Sequence, residues 1–139
     1  MHVKDLMKTE LFVLLSEDSI SAAQELMSKK NIRHIPIVDE NNKLLGLVTH
    51  IELIKALVKG LYDVKMKDIM KDSLDTISVG PLTPLKGAIE VMMVNKISCL
   101  PVVENNSDRL IGIISEIDLL RALYDMTFMP ADFYKIKNK

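Results

Sequence analysis

The chain writes one phrase twice. Residues 46–57 read GLVTHIELIKAL, and residues 112–123 read GIISEIDLLRAL. Each copy runs from a glycine to a hydroxyl residue (Thr49, Ser115) and then to an acid three positions on (Glu52, Asp118). The repetition reaches well upstream. Asp5-Leu6-Met7-Lys8 returns as Asp68-Ile69-Met70-Lys71, AQELM at 23–27 returns as AIEVM at 88–92, and NIRHIPIV at 31–38 returns as KISCLPVV at 96–103. The offset between copies drifts by only a few residues, so insertions are confined to loops. A duplicated sequence implies a duplicated supersecondary unit. It divides the chain into units at 1–60 and 61–126, followed by a C-terminal extension at 127–139.

Within each unit the patterning predicts one order of elements. Short apolar strands at 12–15 and 76–79 lead into helices over 19–30 and 84–95. In the first of these helices Ile20, Ala23, Leu26 and Met27 recur at spacings of three and four. Pro84 suits the first turn of the second. Strands at 35–38 and 44–49, and again at 100–103 and 110–114, flank polar turns such as DENNK at 39–43. A final helix closes each unit. The fold class is therefore α/β (α+β), with β-α-β-β-α written twice. A unit of about 60 residues buries a modest share of its surface. The two are expected to pack through their sheets about a pseudo-twofold axis, which creates two equivalent clefts.

Composition removes several functions. With 48% hydrophobic and 27% charged residues, the 139-residue chain can build a core and remain soluble. A net charge of −1, with Arg33, Arg109 and Arg121 the only arginines, gives no electrostatic footprint for nucleic acid. No apolar run approaches the roughly 20 residues that span a bilayer, and the first ten residues lack the apolar core of a signal peptide. The single Cys99 excludes an intrachain disulfide and reads as a buried structural thiol in a reducing, cytoplasmic setting. The histidines are only His2, His34 and His50. No metal-binding or Gly-rich phosphate motif accompanies them, so neither an enzyme nor a metal site is expected.

The doubled Asp-Φ-Met lead-in, IRHIPIVDENNKLLGLVTHIEL and SCLPVVENNSDRLIGIISEIDLLRAL together resemble a tandem pair of CBS domains, a Bateman module. The resemblance covers about residues 3–125. It implies a stand-alone regulatory module that needs no cofactor. Such a module would bind a regulatory adenine nucleotide or adenosyl ligand (AMP, ADP, ATP or S-adenosylmethionine) between the repeats and signal to an effector protein that the sequence does not identify. It also implies a homodimer formed through the final helices, for which the apolar stretches 51–61 and 117–126 would supply the surface.

The site follows from the same resemblance. An ionised carboxylate offers two acceptor oxygens and no donor, so Asp118 can take both hydroxyls of a ribose, with Ser115 one turn earlier at the same mouth. Thr76, Ile77, Ser78, Leu100 and Pro101 map to the base. Thr49, His50, Arg33 and His34 map to phosphate. A second, weaker cleft would use Glu52 with Val13, Ile35 and Pro36, because one extra methylene moves that carboxylate about 1.5 Å further out. The same residues also serve plain structural ends. Thr49 to Glu52 is a capping box and Ser115 to Asp118 a near variant, while Arg121 is placed to pair with Asp118 along the helix. The rival reading is an interaction module whose clefts stay empty. The aromatic, basic tail at 127–139 is open to docking on the partner subunit or on an effector, with disorder of its last few residues the plain alternative.

Overall fold

A computed structural model of the chain describes residues 1–72 and 76–126. In the first repeat, β1 (Leu14–Leu15) leads to α1 (Ile20–Lys30), then to the hairpin β2 (His34–Val38) and β3 (Leu44–Thr49), then to α2 (His50–Val58). The connection holds α3 (Met66–Ile69) and β4 (Lys71–Asp72). The second repeat follows with α4 (Leu85–Asn95), β5 (Cys99–Val103), β6 (Leu110–Ser115) and α5 (Glu116–Met126). A single turn of 3-10 helix at Val3–Asp5 opens the chain.

Local chemistry fixes these ends. Ser19 Oγ accepts from the Ala22 N–H at 3.1 Å and starts α1. Asn31 ends α1 in the left-handed region at φ 53°, and Lys96 ends α4 at φ 54°. Asn is at ease in that conformation, whereas a lysine there costs roughly 1 kcal/mol. The two hairpins share register and irregularity. Ile37 faces Gly46 and Val38 faces Leu44 across a bulge, as Val102 faces Gly112 and Val103 faces Leu110.

The second copy departs from expectation at its first strand. In repeat 1, Leu14 and Leu15 pair in parallel with Ile37 and Val38. In repeat 2, among the described residues of this segment, only Val79 pairs, with Val102. The next amide, Gly80 N–H, turns to Thr83 Oγ1 at 3.2 Å, and Pro81 then follows, so pairing stops after Val79, and the strand expected at 76–79 is a single bridge. Pro84 sits at the N-cap of α4, just outside the helix, at φ −58° and ψ 141°.

A larger departure is that the lead-ins are exchanged. Residues 1–8 pack on repeat 2: Val3 N–H donates to Thr83 O, Lys8 pairs with Ile113, and Val3 is fully buried in the cluster of Leu100, Val102 and Ile114. Residues 64–72 pack on repeat 1. Met66 N–H donates to Asp18 O, and Met66 is buried with Ile20, Ile35, Ile37 and Val48. β4 completes the first sheet, giving the order β1-β2-β3-β4. Glu17 grips α3 from outside, accepting from Lys65 Nζ at 2.6 Å and Lys67 Nζ at 2.8 Å.

The repeats meet through a third cluster of Val38, Leu44 and Leu110, with Leu11, Val13 and Val103 packed against it. Lys43 bridges Arg109, Leu44 N–H donates to Asp108 O at 2.8 Å, and Leu110 N–H donates to Asn42 O at 3.0 Å. The joint is thus both apolar and hydrogen-bonded.

Candidate functional site

Ser115 is the last residue of β6, and Asp118 lies in the first turn of α5. The side chain folds back so that Asp118 Oδ2 accepts from both Ser115 N–H and Ser115 Oγ–H at 2.9 Å. The Asp118 amide in turn lies 3.4 Å from Ser115 Oγ. Asp118 is 8% exposed, the only buried charged residue among the described residues. A carboxylate leaves water only when compensated, and Lys8 Nζ supplies the balance at 3.4 Å from Oδ1. That ion pair replaces the expected one with Arg121. It comes from the exchanged lead-in, and the repeated Asp-Φ-Met-Lys phrase was its only trace in the sequence.

The first repeat holds the corresponding cap. Glu52 Oε1 accepts from Thr49 N–H at 2.9 Å and from Thr49 Oγ–H at 2.8 Å. The longer side chain curls back onto its own helix start.

Arg33, His34 and His50 gather where the repeats touch. His50 N–H donates to Arg33 O at 3.0 Å, and His34 faces Thr49 across the hairpin. His34 Nε2 lies 3.0 Å from Ser98 Oγ of repeat 2, a partner that the sequence reading did not single out. Arg33 itself is exposed. His50 Nδ1 is buried with no hydrogen-bond partner. Burial, with His50 and Arg33 beside it, holds the His34 pKa below the ordinary 6.5, against the opposing pull of Glu52. Cys99, paired in register with Ser115, is buried, and its thiol is pushed up to about 12 by burial first and then by Asp118.

The positions assigned to the base divide by burial. Ile35, Pro36, Leu100 and Pro101 are fully buried side chains, which leaves their backbone as the part a ligand would meet. Val13 belongs to the joint between repeats, Ile77 packs on the repeat-2 core, Thr76 is half-buried and Ser78 is exposed. A groove of about 390 Å³ lies elsewhere, between α4 and α5, lined by Met1, Leu85, Ile89, Leu119 and Leu123 among others. Beside it, α5 exposes Ile117 and Leu120, and α2 exposes Ile51, Ile54 and Val58. The tail at 127–139 lies outside the described residues. Among the described residues no helix is long and apolar enough to cross a membrane.

A family model described as the CBS domain matches twice, at residues 3–59 and 66–125. The chain belongs to the CBS-domain family. As a tandem CBS pair it is similar to a homoserine O-acetyltransferase of Methanococcoides burtonii, 34% identical over 121 residues, which cover 87% of this chain but 24% of that protein. The CBS pair spans about a quarter of that relative's length. Among solved structures, it resembles the CBS domain pair of protein MJ0100 in complex with methylthioadenosine and S-adenosyl-L-methionine. That likeness has TM-score 0.83 and 30% identity, covering 91% of this chain and 98% of that one. It also resembles CBSX2 in complex with AMP, at TM-score 0.78 and 28% identity, covering 90% and 97%.

Proposed function

We propose that this CBS pair is a regulatory module that binds an adenosine-containing ligand at Ser115 and Asp118 and passes its occupancy to a partner protein in the cytoplasm. The observation that carries the reading is the buried Asp118 carboxylate. Its Oδ2 is committed to the helix cap, while Oδ1 meets only an exchangeable surface ammonium among its described partners. Such an oxygen can accept a ribose hydroxyl without any loss to the cap. Complexes of similar CBS pairs with AMP and with adenosyl ligands support the ligand class.

In this reading the backbone at 76–78 and 100–101 faces the base, and His50, His34 and Arg33 face phosphate. Glu52, Val13, Ile35 and Pro36 form the weaker counterpart, since Glu52 carries one methylene more than Asp118. The exposed apolar faces of α2 and α5 serve a homodimer, and the protein performs no catalysis of its own. Charge-assisted hydrogen bonds contribute roughly 1.5–3 kcal/mol each, so Asp118→Ala should weaken binding at least tenfold. Calorimetry with AMP, ADP, ATP and S-adenosylmethionine measures it. If none binds below millimolar, or the variant binds as well as wild type, the chain is instead an interaction module.

A further inference from the structure

Lys8 is the residue at this site that neither the sequence nor the family resemblance singled out. Its backbone is clamped on β6, donating to Ile113 O at 2.8 Å and accepting from Ile113 N–H at 3.0 Å. Its side chain is 53% exposed, against 7% for Asp118, with the ammonium 3.4 Å from Oδ1. The anchor is fixed and the charge is free to swing.

The geometry has a chemical consequence. A hydroxyl accepted by Oδ1 must approach within about 3 Å of the same atom that Lys8 now holds. The ammonium then shares that oxygen or moves a few ångströms aside, and in either case it stays beside the ligand. We propose that Lys8 selects ligands by charge at the Asp118 site, favouring adenosine compounds with an anionic 5′ group, such as nucleoside phosphates, over those carrying a sulfonium. This rests on the reading of Asp118 given above. A unit charge about 6 Å from the ammonium, in a dielectric between water and a protein surface, changes affinity roughly tenfold. The change favours phosphate and disfavours sulfonium.

The test compares AMP, uncharged adenosine and S-adenosylmethionine by calorimetry on wild type, Lys8→Met, Lys8→Glu and Asp118→Ala. Lys8→Met keeps the stem and the backbone pairing, and thermal melts check that each variant folds. The expected result is that the preference for AMP over adenosine falls about tenfold in Lys8→Met and further in Lys8→Glu. The preference for S-adenosylmethionine over adenosine should rise in the same order. Using ratios cancels any general loosening of the site. An AMP-to-adenosine ratio within twofold of wild type in both Lys8 variants, with binding still lost in Asp118→Ala, overturns the selector and leaves the Asp118 site standing. Equal binding by Asp118→Ala, or no binding of any of the three to wild type below millimolar, overturns the site reading and the selector with it.

Discussion

Met66→Ala tests the exchange of lead-ins directly. By sequence Met66 belongs to the second copy, yet its side chain is fully buried in the core of the first, among Ile20, Ile35, Ile37 and Val48. Removing it loses the transfer free energy of a fully buried methionine, roughly 2 kcal/mol relative to alanine. A term for the cavity left behind adds to this. Met70, Ile69 and Leu14 pack only partly buried against the same cluster and can relax into the space, so about 3 kcal/mol in total is expected, within the usual range for such truncations. Hydrogen exchange read by mass spectrometry locates the effect. Amides in α1 and the β2–β3 hairpin should exchange about two orders of magnitude faster. Acceleration confined to α4, β5 and β6, with residues 20–58 unchanged, would refute the exchange.

Three further outcomes follow from particular groups. A histidine whose folded pKa is depressed contributes stability that is whole above about 6.5 and is lost as pH falls toward the lower folded value; this is the direction set for His34 by burial. Melting temperature should therefore drop as pH is taken from 7 toward 5, and His34→Gln should flatten that slope. Cys99, with its thiol at about 12, should resist iodoacetamide at pH 8 in the native protein and react readily once unfolded; equal rates would contradict its burial. Gly112→Ala places a Cβ 2.6 Å from Met7 Sδ and 3.2 Å from Lys8 O. The methionine can swing away but the ladder carbonyl cannot, so urea unfolding should show a loss of about 1–3 kcal/mol.

The duplicated phrase carried the element order and both helix caps, because Thr49 to Glu52 and Ser115 to Asp118 express local chemistry within four residues. It did not carry where each lead-in goes. Asp5-Leu6-Met7-Lys8 and its copy look alike in whichever repeat they pack, since a repeat period is blind to which of two equivalent surfaces an arm selects. For the same reason the sequence points to Arg121, on the same helix, as the partner of Asp118, whereas the ion pair is with Lys8. The second copy's first strand stops at Val79, where the first copy continues to Leu15, for a local reason visible only in the hydrogen bonds, the diversion of Gly80 to Thr83. Core packing of Leu100 follows from its place in an apolar strand, and both it and Pro101 are fully buried.

The crossing of the two arms also makes the beginning of the chain a handle on its far half. Leu85 N–H at the start of α4 donates to Met1 O at 3.0 Å, Val3 fills the repeat-2 core, and Lys8 ends at Asp118. Trimming or tagging the first eight residues would therefore leave the first repeat intact and unsettle the second. Cutting the backbone between α2 and α3 would give two fragments, each carrying the edge that the other lacks. Two whole chains could trade halves through the same contacts, so the path of that link, rather than the contacts themselves, decides whether the crossing closes within one molecule or between two.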